Sequence, residues 1–377
     1  MIYKMRIFAV LFCVFCVFLM FGCAHVADQV EPVTVHVTAQ VTTPMSTEDF
    51  EFVSEGNTLS GMLDQPTKDE AHALIIFIHG YGNTNVRDWW SFHDLRTRFA
   101  KLGIASLVWD KPGQGRSEGV FDINQPVESS AREVLDVVAV LRQRNVPGAD
   151  RIGLWGISRA GWIAPIAMSQ DPSIAFWISV SGVDDQESFG YMLESNLRIE
   201  GRSEEDVEML LAEWGRGFEI TNEGGSFEAY MAATENLRHD PFMLRFTGSP
   251  DRDAAKFKVE QTRFLTGELQ VHPQTGLMIY VPGFEDMLRG LDLDVLALFG
   301  KKDTNVNWRK TKALYERTIG ENPSATLRVK TFADGNHNIH QSETGGSQEM
   351  QAMQERIKSE GYYEAQIEWL AEHVLPK

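Results

Sequence analysis

The chain has 377 residues, 43% of them hydrophobic, which suits one large domain carrying an insertion and supplies ample material for a packed core. Its 53 acidic residues outnumber 35 basic ones and give a formal charge of −18. A field of that sign works against nucleic acid and anionic membrane surfaces as partners, keeps the protein soluble, and carries no information about substrate.

The N-terminus opens with Lys4 and Arg6, continues through the apolar run Ile7 to Phe21, and reaches Gly22-Cys23. Fifteen residues in a helix rise about 22 Å, short of the ~30 Å hydrocarbon core, so residues 1–22 fit a signal peptide better than a permanent span. Leu19-Met20-Phe21-Gly22-Cys23 resembles a bacterial lipobox, with Cys23 as the residue to be acylated. An uncleaved anchor, or cleavage near Ala24 or Ala27, is the alternative. Cys13 and Cys16 lie in the apolar run, so a mature chain would keep Cys23 alone, with neither an intramolecular disulfide nor a cysteine metal site. Residues 23–49 read as lipid anchor and tether, although the alternation Val33-Thr34-Val35-His36-Val37-Thr38 equally suits one edge strand.

From residue 50 the pattern turns into strand, polar tip and strand: Phe50 to Val53, Ser54-Glu55-Gly56-Asn57, then Thr58 to Leu63, a hairpin. Leu74-Ile75-Ile76-Phe77-Ile78 follows, a continuous apolar run of the kind buried on both faces of a parallel sheet. It leads into His79-Gly80-Tyr81-Gly82, where glycines let backbone N–H groups face a substrate oxygen; an ordinary strand-to-helix turn is the plainer alternative. Trp89 and Trp90 read as packing residues on the helix that follows. Further runs lie at Ile104–Trp109, Ile152–Trp155, Phe176–Val180, Val295–Phe299 and Leu327–Phe332, with helical patterns between most of them. Ser130–Arg144, for example, carries Val134, Leu135, Val138 and Leu141 on one side. This alternation predicts an α/β fold with a mostly parallel sheet and flanking helices.

Leu154-Trp155-Gly156-Ile157-Ser158-Arg159-Ala160-Gly161 is the sharpest local signal. A buried-type strand runs into a serine among small residues and then into a helix, the G-x-S-x-G nucleophile elbow with Ala160 in the last glycine's place. The small residues are needed because the turn is tight and the serine takes a strained conformation. A serine hydroxyl needs a base, and both partners of such an elbow follow it in the order acid, then histidine.

Between Ser181 and about Gly290 strand character vanishes; 183–290 is expected to form an inserted helical cap, between hydrolase segments 50–182 and 291–377. A capping start at Ser203-Glu204-Glu205-Asp206 is clear, and Met192, Leu193, Met209, Leu210, Leu211, Trp214 and Phe218 supply apolar helix faces. After it, Val295 to Phe299 runs through Gly300-Lys301-Lys302 to Asp303, a strand ending in a turn with an aspartate at its tip. Thr331-Phe332-Ala333-Asp334-Gly335-Asn336-His337 repeats that logic with a histidine. Asp303 would orient the imidazole of His337, which would take the proton of Ser158. Asp184 or Asp185 could instead supply the acid, and His340 the base. The oxyanion donors would be the backbone N–H groups of Tyr81 and Arg159.

Together, His79-Gly80, Asp110-Lys111-Pro112-Gly113-Gln114-Gly115-Arg116-Ser117, the serine elbow, Leu298 to Asp303 and Asn336-His337 resemble the α/β-hydrolase superfamily. Gly161-Trp162-Ile163-Ala164-Pro165 and the lipoprotein start are similar to EstD-type bacterial esterases, serine carboxylesterases related to S9 and S33 peptidases. The likeness covers 50–182 and 291–375 and departs at Arg159 and Ala160. It implies hydrolysis of a small-molecule carboxylic ester through an acyl-serine, with no cofactor and no metal, by an exported protein held at the bacterial cell envelope by its lipid. A peptidase or amidase, a thioesterase, and a non-catalytic lipid-anchored binding protein remain as other readings. Residues 24–49 are too few for the propeller domain of large oligopeptidases.

Overall fold

The computed structural model describes residues 44–88, 92–186, 189–271 and 281–376. The signal segment, Cys23, the tether up to residue 43, and Trp89 and Trp90 lie outside the described residues. Among those described, no helix is long and apolar enough to cross a membrane.

Eight strands form one sheet in the order β1-β2-β4-β3-β5-β6-β7-β8. Strands β1 (Met45–Ser54) and β2 (Asn57–Pro66) make the antiparallel hairpin, and β2 pairs antiparallel with β4 (Ile104–Trp109). β3 (Ala73–Ile78), β4, β5 (Ile152–Ile157), β6 (Phe176–Val180), β7 (Asp294–Gly300) and β8 (Thr326–Phe332) are parallel to one another. β3, β4 and β6 are buried at every position because helices cover both faces. The alternation along β3 shows the two cores. Leu74, Ile76 and Ile78 join one with α2 (Val127–Gln143) and α3 (Ala160–Gln170). Ala73, Ile75 and Phe77 join the other with α1 (His93–Lys101) and the last helix.

Two expected boundaries move. β1 begins at Met45, so Met45–Asp49 belong to the sheet and not to the tether. These residues carry no apolar alternation because they lie on an outer strand and are mostly exposed, and their order comes from ladder pairing with β2 and from Thr47 donating to Asp64 at 2.5 Å. The other shift is at the end of the insertion.

Between β6 and β7 the described residues form helices α4 (Phe189–Ile199), α5 (Glu204–Asn222), α6 (Phe227–Ala233), α7 (Glu235–His239), α8 (Pro241–Thr247), α9 (Ala254–Leu265) and α10 (Phe284–Arg289). α4, α5, α7 and α8 share a small core of their own built on Leu193, Leu197, Val207, Leu210, Leu237 and Phe242. α10 differs. Its Phe284 and Leu288 bury in the main core, against the side of the sheet that α3 covers, so it belongs to the sheet domain although it falls inside the expected cap range. Of the remaining helices, α11 (Trp308–Arg317) packs in the first core and α13 (Tyr362–His373) in the second, while α12 (Ser347–Ala352) follows β8 and is tied to α4 by the Ser347 N–H donating to Asn196.

Candidate active site

Ser158 follows β5 at the carboxyl end of the sheet. It has φ +57°, the left-handed region that costs a non-glycine residue about 1–3 kcal/mol. The turn holds because its N–H donates to the Val180 carbonyl on β6 at 3.0 Å and its own carbonyl accepts from Gly161 at 2.7 Å. A Cβ at Gly156 would come within 2.6 Å of the Ala160 Cβ, and one at Gly161 within 2.7 Å of the Val183 nitrogen. The departure at Ala160 is therefore accommodated by the missing side chain at Gly156. α3 starts immediately after, so the positive end of its dipole lies beside Ser158.

Asp303 and His337 meet because the turns after β7 and β8 are strapped together. The Lys301 N–H donates to the Phe332 carbonyl and the Lys302 N–H to the Gly335 carbonyl, both at 2.8 Å. A Cβ at Gly300 would lie 2.2 Å from the Asn336 carbonyl oxygen, so only glycine lets the turns touch. His337 Nδ1 is 2.9 Å from Asp303 Oδ2, and both residues are buried. The other carboxylate oxygen accepts the N–H groups of Asn305 at 2.8 Å and Val306 at 2.9 Å, which fixes its plane. Buried Asn336 shapes the histidine loop by accepting from the backbone of Asn338 and His340.

The alternative partners lie elsewhere. Asp184 pairs with Lys310 at 2.8 Å, Asp185 approaches the same ammonium at 3.7 Å, and burial pushes the Asp184 carboxyl upward. His340 does not border the cavity described below; burial, reinforced by Lys358 and Arg356, lowers its pKa to about 4.

Gly80 brings the loop after β3 against the elbow: a Cβ there would meet the Ile157 carbonyl and the Ser158 Cβ at 3.3 Å. His79 also lines the cavity described below; its Nε2–H donates to the Trp109 carbonyl at 3.0 Å, and burial lowers its pKa to about 3, so the ring is neutral. The Arg159 side chain is buried behind the elbow, donating to Ser130 Oγ at 3.1 Å and to the Gln125 carbonyl. Its guanidinium lies 5.4 Å from the Tyr81 ring. Two features escaped the sequence reading: the Asn305 and Val306 donors, whose only signal is an aspartate heading a turn, and the side chain of Lys111, which has none.

Ser158, His337, Gly80 and Tyr81 all line one cavity of about 860 Å³, roofed by the inserted helices. Phe189, Met192, Trp214, Phe218, Met243 and Phe246 make its roof largely apolar. Leu193 and Leu210 pack inside the insertion instead, and Met209 is exposed. Arg252 and Glu260 also line the cavity and pair with each other, Arg252 donating to the Tyr230 hydroxyl as well. Arg263 of α9 ties the insertion to the sheet domain through Asp122 at 2.8 Å and the Asn124 carbonyl at 2.6 Å. Among the described residues no group of three or more His, Cys, Asp or Glu is arranged to hold a metal ion.

Comparison with known proteins adds three likenesses. A thiohydrolase of Arthrinium phaeospermum, apmlB, is 32% identical over 91 residues, 24% of this chain and 29% of that protein. The quorum-quenching protein AidA of Acinetobacter baumannii is 28% identical over 136 residues, 36% of this chain and 44% of its own. The chain thus spans less than half the length of these curated relatives. The solved structure of DcsB in complex with its substrate analogue superposes with a TM-score of 0.51 at 15% identity, covering 87% of this chain and 99% of that one, a likeness of fold alone. The sequence pattern of the S15 family, described as X-Pro dipeptidyl-peptidase, matches residues 55–338, from the tip of the hairpin to the residue after His337. The elbow, the cavity and the eight-stranded sheet around them thus fall inside the matched range or directly extend it, and the chain belongs to the S15 family of hydrolases, with an α/β-hydrolase fold.

Proposed function

We propose that this hydrolase is a serine carboxylesterase in which Ser158 is the nucleophile, His337 the base and Asp303 the residue that orients it. The observation that carries the reading is the His337–Asp303 hydrogen bond at the rim of a cavity that also holds Ser158 in its strained turn. With Nδ1–H committed to Asp303, Nε2 is the ring nitrogen that takes the Ser158 proton. The serine oxygen then attacks the ester carbonyl, and the developing oxyanion is held by the N–H groups of Tyr81 and Arg159. His337 protonates the leaving alcohol; water activated by the same ring releases the acid from the acyl-serine. The apolar roof suits a hydrophobic acyl or alcohol group. The same triad in a family described by dipeptidyl-peptidase activity supports peptide cleavage as the second reading, and the thiohydrolase likeness adds thioesters as a further arm of the test.

The test compares p-nitrophenyl esters of graded chain length, acyl thioesters and X-Pro anilides on the native protein and on Ser158→Ala. Ester turnover that exceeds anilide turnover and falls by roughly 10³-fold or more in the variant is expected. Anilides outpacing every ester would replace the esterase reading by the peptidase one. Delivery of the enzyme to the envelope on an acylated Cys23 is part of the same proposal.

A further inference from the structure

The segment Asp110–Ser117 after β4 is outside the roles assigned so far, yet it grips the loop after β3 through four hydrogen bonds. Asp110 Oδ1 accepts the Val86 N–H at 2.7 Å, and the Lys111 N–H donates to Thr84 Oγ1 at 2.8 Å. The Lys111 ammonium donates to the carbonyl oxygens of Gly80 at 2.5 Å and Gly82 at 2.9 Å. A lysine directed at two backbone carbonyls, partly buried, is a costly arrangement unless the loop conformation it fixes matters.

Peptide geometry shows what is fixed. In a trans peptide the C=O and the N–H point to opposite sides of the chain. The Gly80 carbonyl and the Tyr81 N–H belong to one peptide plane, so holding the first toward Lys111 turns the second the other way. Gly80 and Tyr81 line the cavity, whereas Lys111 does not, so the side opposite Lys111 is the side that meets substrate. Gly80 also abuts Ser158 directly. Without the ammonium, the Gly80 peptide could rotate and present its carbonyl oxygen to the site, placing a negative dipole where an oxyanion forms.

We propose that Lys111 is a positioning residue for the hydrolytic reaction: by clamping the Gly80 and Gly82 carbonyls it aims the Tyr81 N–H at the oxyanion. The inference rests on Ser158 being the nucleophile. The groups facing Lys111 are Glu133 of α2, Arg159 at the start of α3 and neutral His79, and burial with the Arg159 charge lowers its pKa to about 8. The clamp therefore has its full complement of three N–H donors at neutral pH.

The test uses the full chain and an ester substrate, with Lys111→Met as the main variant. Lys111→Gln, which is too short to span both carbonyls, serves if the methionine form does not fold. Since removal of one oxyanion donor typically costs 10²–10³ in kcat, misaiming it should lower kcat by roughly 10- to 100-fold. KM should stay within about threefold, because ground-state binding does not use the donor. Affinity for a trifluoromethyl ketone, which forms a tetrahedral adduct on the serine, should weaken by a similar factor, while a non-reactive product acid binds as before. Lys111→Arg should recover part of kcat by restoring donors. A folded variant with native kcat, or one whose ketone and acid affinities fall together, overturns the inference. Ser158→Ala run alongside separates the two levels. If it is inactive while the Lys111 variants are native-like, the clamp alone fails; if it keeps full turnover, the nucleophile assignment and the clamp fail together.

Discussion

Replacing Gly300 with alanine would probe the contact that brings Asp303 and His337, the proposed acid and base, together. The new Cβ would sit 2.2 Å from the Asn336 carbonyl oxygen and 2.3 Å from that of Gly335, both backbone atoms with no freedom to rotate aside. Real Cβ atoms do not approach such oxygens within 3.0 Å, so the histidine loop must retreat by about 0.8 Å or more. That displacement is transmitted to His337, the next residue, and a misplacement near 1 Å at a catalytic group costs on the order of 10²-fold. Fitting the methyl group also strains the straps from Lys301 and Lys302, so the melting temperature should fall as well. The assay is kcat on a p-nitrophenyl ester, paired with the rate at which a fluorophosphonate labels Ser158, because both steps need the base in place. A drop of roughly 30- to 100-fold in both is expected. Should the alanine form not fold, Gly335→Ala offers a milder version, its Cβ meeting Phe332 at 3.0 Å and Gly300 at 3.2 Å. A cooperatively folded Gly300→Ala protein with kcat within about twofold of native would refute the idea that this contact sets the position of His337.

Asp303→Asn should lower kcat by about 10³- to 10⁴-fold, the scale for a triad whose histidine loses its orienting acid, whereas Asp184→Asn should leave kcat near native; the reverse ranking in steady-state assays would move the acid to the loop after β6. Trp214→Ala in the cavity roof should improve long-chain over short-chain esters by several-fold in kcat/KM while labelling by a small fluorophosphonate stays constant, an unchanged ranking being the result that contradicts a substrate-contacting roof. Cys23→Ser should abolish membrane partitioning of the expressed protein; a native protein whose mass spectrum shows an unmodified N-terminus downstream of Cys23 would contradict the lipid anchor.

Strands buried on both faces were legible because a continuous run such as Leu74 to Ile78 has few other uses, and the hairpin around Glu55-Gly56-Asn57 and the half-exposed β8 were legible as well. The start of β1 was not legible: Met45–Asp49 are held by ladder hydrogen bonds at an outer strand, which demand no apolar residue. α10 was misassigned for a different reason. Phe284 and Leu288 make the same pattern whether they face the insertion or the sheet, and only packing against α3 decides. Ser158, Asp303 and His337 could be singled out because each closes a strand with a turn of recognisable chemistry. Lys111 could not, since its role depends on two loops meeting about thirty residues apart in sequence.

The insertion leaves from β6 and returns to β7, and these two strands are direct neighbours in the sheet. α10, packed on α3, already completes an ordinary helical crossover between them. Everything from α4 to α9 therefore lies outside the strand register, tied back to the sheet domain by Arg263 at Asp122–Asn124, by the Tyr191 hydroxyl donating to the Asp303 carbonyl at 3.1 Å, and by Asn196 accepting from the Ser347 N–H at 2.7 Å. On the proposed reading, the reacting groups sit in turns of the sheet while the cavity roof belongs to the insertion, so descent can rework what the site accepts by changing the insertion, provided the Tyr191 contact at Asp303 is kept.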